Sequence, residues 1–178
     1  MGSMIGAAVV RKEDPALLTG RGRFVDDIHL PGTVHMAYAR SHLAHARIVS
    51  IDTSEAAALS GVLGVWTHDD LPGLPPSRSL PGIERPCLAT GKVHFVGEPI
   101  AVVAATDPYL AADAAAAVVV DYEQLPVMAS LAAATAEDAT PILDGLPSNL
   151  VLEQQLSADD AEAELAAAPH RLKIHLRN

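Results

Sequence analysis

The chain has 178 residues, 49% of them hydrophobic, with 12 basic against 22 acidic side chains and a formal charge of −10. That length buries a real core in one domain, and a surface so acidic repels a phosphate backbone, which excludes nucleic acid as a partner. No run of 18 apolar residues is present, so no helix is expected to span a bilayer. Aromatic residues make up 3% and Trp66 is the single tryptophan, so the core must be built from Val, Leu, Ile and Ala. Residues 1–5 lack the charged and apolar segments of a secretory signal. Cys87 is the only cysteine, which rules out an internal disulfide, a Cys₄ or Cys₂His₂ zinc site and a cluster held by four cysteines of this chain. A reducing, cytoplasmic setting is the expectation.

In chain order, His35–Arg40 and residues 47–52 have the β-branched and alternating apolar character of strands, separated by a polar turn with His42 and His45. Asp52 is placed to cap a helix with Glu55 at its third position, and Gly61 to end it in the left-handed region. Residues 62–67 form the next strand. Residues 71–86 hold five prolines and two glycines and predict a loop. Residues 93–96 and 100–104 predict strands around a Gly97-Glu98-Pro99 turn. Asp107 and Pro108 then open a helix through the alanine-rich stretch to Ala117, and residues 118–122 return as a strand. The pattern weakens between residues 124 and 150, with room for one short helix. Beyond it, residues 150–156 and 172–176 predict strands flanking a helix at 161–168, which Ser157 and Asp160 cap and Pro169 stops. The fold class is α+β, a mixed α/β chain without internal repeats.

Several groupings invite chemistry, and each has a plainer structural reading. His42 and His45 form a His-x-x-His pair without a third ligand, so a polar turn explains them better than a metal does. Cys87, between Pro86 and Leu88, lacks oxyanion-hole glycines and reads as an inert half-buried residue. Gly20-Arg21-Gly22-Arg23 lacks the third glycine and the preceding strand of a phosphate loop. The pairs Asp26-Asp27, Asp69-Asp70 and Asp159-Asp160 suit turns and caps, because adjacent carboxylates rarely converge on one atom. Lys92 is not a swinging-arm lysine, since carriers of that kind are small all-β domains.

Arg11-Lys12-Glu13-Asp14-Pro15 is followed by the stretch from Leu18-Thr19-Gly20 to Asp26-Asp27-Ile28 with Leu30-Pro31-Gly32. Ala44-His45-Ala46-Arg47-Ile48, Val93-His94-Phe95-Val96-Gly97-Glu98-Pro99 and Val120-Asp121-Tyr122-Glu123-Gln124-Leu125-Pro126 come after it in order. This motif order resembles the large, molybdopterin-binding subunit of the xanthine dehydrogenase, aldehyde oxidase and aerobic carbon monoxide dehydrogenase family. Ser41-His42-Leu43 departs from the Ser-Pro common there.

What the resemblance implies is a single α/β-hammerhead domain over residues 1–178, with 1–30 as an amino-terminal extension and 150–178 leading toward a molybdenum-cofactor domain. In such subunits the pterin, the metal and the glutamate base belong to sequence beyond the hammerhead. No catalytic, cofactor-binding or metal residue is therefore assigned here, and the chain alone is expected to be inactive. Molybdopterin is implied for the parent. The implied partners are the downstream domain and iron–sulfur and FAD subunits or domains; separately, the apolar faces of residues 150–156 and 172–176, without a partner in this chain, predict self-association as a homodimer. A free-standing hammerhead adaptor without redox chemistry is the alternative, and a naturally split large subunit is a third reading. Cys87→Ser is expected to leave stability within about 0.5 kcal/mol of the native chain in urea unfolding. A larger loss would place Cys87 in the core.

Overall fold

The computed structural model describes residues 5, 6, 8–80, 83–154, 160–174 and 176, with the backbone alone at 77–80 and 84. A short helix α1 (Asp14–Leu18) and a 3₁₀ turn (Val25–Asp27) precede β1 (His35–Arg40), β2 (Ala46–Asp52), α2 (Ser54–Ala58) and β3 (Val62–Thr67). There follow β4 (Ser77–Leu80), β5 (Ile83–Arg85), β6 (Lys92–Val93), β7 (Pro99–Ala105), α3 (Pro108–Ala116) and β8 (Val119–Gln124), then α4 (Leu131–Ala134) and α5 (Ala161–Ala167). The chain divides into two compact units, residues 1–125 and 126–178.

In the first unit, β7 runs antiparallel between β1 and β3, and β2 runs antiparallel between β6 and β8. Because strand side chains alternate, Ile100 and Val103 leave β7 on opposite faces. Both are fully buried. Ile100 joins Ala46, Ala89 and Val93 in one cluster, against which Ile48, Val120 and Tyr122 of the second sheet pack. Val103 joins Ala56 of α2 and Ala114 of α3 in the other. Alanine on the buried face of α3 keeps the helix axis close to the sheet, since Ala111 and Ala114 have almost no exposure.

The start of α3 follows the expectation. Asp107 Oδ1 accepts from the N–H groups of Tyr109 at 2.8 Å and Leu110 at 3.1 Å, and Pro108 occupies the first turn. The start of α2 does not. Its N-cap is Thr53, and Asp52 instead accepts from Ser54 N–H at 2.9 Å in a local turn. Gly61 does adopt a left-handed φ of 92°, and its carbonyl accepts from Thr106 N–H.

Two further expectations are corrected. The proline-rich stretch contains the β4–β5 hairpin, because its prolines flank the paired residues and leave their N–H groups intact. The strand expected at 93–96 is cut to Lys92–Val93, because the chain turns at His94, whose N–H is taken by the Glu98 side chain.

In the second unit, Ser130 Oγ caps α4 by accepting from Ala133 N–H at 3.1 Å. Asn149 ties the loop together, accepting from Ile142 N–H and donating to the carbonyls of Ala134 and Thr140. Helix α5 forms where expected and ends before Pro169, but Asp160 stands at its N-cap without a side-chain cap bond instead of at the third position of a capping box, and Ser157 lies outside the described residues. The strands expected at 150–156 and 172–176 are absent among the described residues, 150–154, 172–174 and 176. Their apolar alternation has no neighbouring strand to satisfy the backbone, and Leu152, Leu172 and Leu176 stay exposed.

Ile100→Ala removes a side chain with no exposure at the junction of both sheets. It is expected to cost about 2–5 kcal/mol in urea unfolding, whereas Val49→Ala on the exposed face of β2 should cost less than about 0.5 kcal/mol.

Candidate functional site

The described residues singled out for chemistry do not converge, and Asp159 lies outside the described residues. His42 is exposed and meets Tyr122 edge-on, ring centroids 5.2 Å apart, whereas His45 is only 7% exposed and stacks on His94 at 6.3 Å. The turn between β1 and β2 is thus half core, a correction to its reading as polar. Among the described residues no three His, Cys, Asp or Glu side chains form a metal-sized group. Cys87 is exposed, and its thiol donates to the Pro75 carbonyl at 3.4 Å.

In the glycine-arginine segment, Arg21 N–H donates to the Ala16 carbonyl and its Nε to Thr19 Oγ1, which closes α1. Two members of the acidic pairs serve turns. Asp27 accepts from Phe24 N–H, and Asp70 accepts from both the N–H and the hydroxyl of Thr67, bonds that hold its carboxyl below the usual range. Lys92 pairs with Arg47 inside a sheet rather than standing at a hairpin tip.

Among the described residues, a buried ionisable cluster centres on Glu98, which none of those groupings includes. Glu98 follows Gly97, whose φ of 89° is left-handed and favours glycine, and precedes the first residue of β7. The chain therefore turns sharply and drops the carboxylate inward, to 5% exposure. There it accepts from His94 N–H, with His94 Nδ1 3.3 Å from Oε2 and 3.4 Å from Oε1 and Arg85 Nη2 3.8 Å from Oε1. The Arg85 guanidinium also lies over the Phe95 ring, 4.7 Å from its centroid. Main-chain bonds complete the knot. Glu98 O accepts from Ser41 N–H at 2.9 Å, Gly97 N–H donates to Ser41 O at 2.7 Å, and Arg40 Nη1 donates to Gly97 O at 2.8 Å.

Burial alone would raise the Glu98 carboxyl. The side-chain and backbone hydrogen bonds from His94, with the charges of His94 and Arg85, outweigh it and leave the group below its ordinary value. A general base works best with a pKa near the operating pH, and Glu98 stays ionised well below neutrality. Its chemistry is that of an anchor. The signal was present in the sequence as a glutamate between two apolar strands, four residues after a histidine.

Small antiparallel sheets, the first carrying the alanine-rich α3 and both meeting at Ile100 of β7, with the buried Glu98 carboxylate beside them, define a mixed α/β module. The family model for the aldehyde oxidase and xanthine dehydrogenase a/b hammerhead domain matches residues 19–126, and the chain belongs to that family. It is 45% identical over 141 residues to the carbon monoxide dehydrogenase large chain of Afipia carboxidovorans, covering 78% of this chain and 17% of that protein. It is 34% identical over 175 residues to the xanthine dehydrogenase molybdenum-binding subunit of Escherichia coli O157:H7, covering 93% of this chain and 23% of that protein. The crystal structure of quinoline 2-oxidoreductase from Pseudomonas putida 86 superimposes with a TM-score of 0.70 at 43% identity, over 80% of this chain and 19% of that one. The chain thus spans about a fifth of the length of these relatives.

Glu98→Gln is expected to cost about 1.5–3 kcal/mol at pH 7, the range for hydrogen bonds to a charged group. Because the folded pKa is lowered, the native carboxylate stabilises above its unfolded value near 4.5 and loses that contribution as pH falls through the folded value. Urea unfolding should therefore show the native and Glu98→Gln chains converging below pH 4.5. A constant gap from pH 7 down to pH 3 would refute the ion-pair account.

Proposed function

We propose that this chain is the hammerhead wall of a molybdenum-dependent oxidoreductase large subunit. Its work is to present a rigid surface to a downstream cofactor-bearing domain. The observation that carries this reading is the match of residues 19–126 to the hammerhead family, together with relatives named as carbon monoxide and xanthine dehydrogenase subunits. The parent reaction would be hydroxylation at a carbon centre with oxygen from water, or oxidation of carbon monoxide. Iron–sulfur and flavin partners would carry the electrons away.

Molybdenum bound to a pterin is the group that these relatives imply, and the described residues do not fit it. The glycine-arginine segment closes α1 instead of cradling a phosphate. No catalytic step is therefore derived through that group, and on this reading it belongs to sequence beyond the hammerhead.

Residues 150–178 would lead toward that cofactor-bearing domain, and their exposed leucines would be covered there or by a second copy. The adaptor alternative is not favoured, since the matched relatives are oxidoreductase subunits. No described helix is long and apolar enough to cross a membrane, and with the single cysteine this supports a cytoplasmic protein.

Purification of the native polypeptide that carries this sequence should yield molybdenum by elemental analysis, together with iron and a flavin on copurifying chains. A native preparation that is active or intact but free of molybdenum would overturn the reading.

A further inference from the structure

A cleft of about 380 Å³ opens between the Tyr38–Arg40 end of β1, one face of β8 and the last turn of α3. Val118 and Val120 line it above the buried Ile100, and Tyr38, Arg40, His42 and Tyr122 supply its aromatic and polar lining. We propose that this cleft binds a small monocarboxylate with an aromatic or branched apolar body, the carboxylate on Arg40 and the body against Val118 and Val120. Nothing in the proposal depends on the reading of the parent enzyme.

Arg40 is the central observation. In a chain with 22 carboxylates, no acidic side chain lies within ion-pair distance of it among the described residues. It is nevertheless held in place. Nη1 donates to the Gly97 carbonyl at 2.8 Å, and the guanidinium carbon stands 5.1 Å from the centroid of the Tyr38 ring. A guanidinium has five N–H donors in a planar fork. One is spent on Gly97, and because the side chain is already anchored the others are available to an oxyanion at little further entropic cost. The floor is held in place too, since Val120 and Tyr122 pack on the core cluster that contains Ile100. Small-molecule sites are usually pre-formed, with a few convergent polar groups, and this volume lies at the small end of their range.

Two features oppose an anion and so set its orientation and strength. The carbonyl end of α3, at Ala115 and Ala116, is partially negative, which drives the charged head away from that wall toward Arg40. The net charge of −10 acts over distances screened within about 8 Å at physiological ionic strength, so the neighbouring guanidinium dominates. The expected binding is therefore weak, with a Kd on the order of 1 mM.

The test is a titration of the ¹⁵N-labelled chain with sodium benzoate and, separately, with benzamide, its neutral isostere. Benzoate should shift the amides of residues 38–42 and 115–122 saturably, about tenfold more tightly than benzamide. Arg40→Gln should abolish that difference while leaving the weak benzamide shifts. Equal affinity for the two ligands on the native chain, shifts centred elsewhere, or no saturable benzoate shifts would each overturn the proposal. The benzoate–benzamide comparison uses the native chain and so stands even if the Arg40 variant misfolds.

Discussion

A carboxylate taken out of water must be repaid by hydrogen bonds and opposite charge, and in this molecule that requirement organises the first unit. Glu98 can be buried only if the chain delivers His94 N–H, the His94 ring and Arg85 to the same point. Meeting that condition stops β6 after Val93, sets the left-handed turn at Gly97 and brings the 94–98 loop against the end of β1 through Ser41. The pairing of β1 with β7 shifts register at Arg40, opposite Pro99, next to this knot. Strand pairing and loop geometry are thus solved together by one ion pair. Stability gained this way is local and steep, since removing any one partner strands the others.

The second constraint is volume. With so few aromatic side chains, the core relies on close approach of backbones, and buried Ala46, Ala56, Ala101, Ala111 and Ala114 are the contact points. Small residues forfeit apolar area per side chain, and interior packing tolerates few voids. Strand β7 compensates by serving both faces, with Ile100 in one cluster and Val103 in the other. This is why a seven-residue strand with three alanines sits at the centre.

Legibility followed locality. The strands at 35–40 and 62–67 and the Asp107–Pro108 start of α3 could be read directly, because alternation and capping are properties of a few neighbouring residues. The hairpin within 71–86 was hidden by its own prolines, which argue for a loop unless one knows which N–H groups the pairing uses. The strands expected at 150–156 and 172–176 have the right alternation, but alternation says nothing of whether a partner edge is within reach. At the site, the readings of Asp27 and Asp70 as turn devices agree with the observed bonds, while the helix-closing role of Gly20–Arg23 was not foreseen. Glu98 escaped notice, since its significance lies in Arg85 and Ser41, 13 and 57 positions away in sequence. The family could be recognised from motif order, yet motif order does not reveal which residue of a motif is buried.

Trp66 stands in β3 opposite Val102, folded over Gly64 so closely that a Cβ there would meet its ring at 2.3 Å. Residues 126–178 contain no Trp, Tyr or Phe. Intrinsic fluorescence and near-ultraviolet dichroism of this protein therefore report only on the first unit. A cooperative optical transition would be silent about the second unit, whose order has to be followed through backbone signals instead.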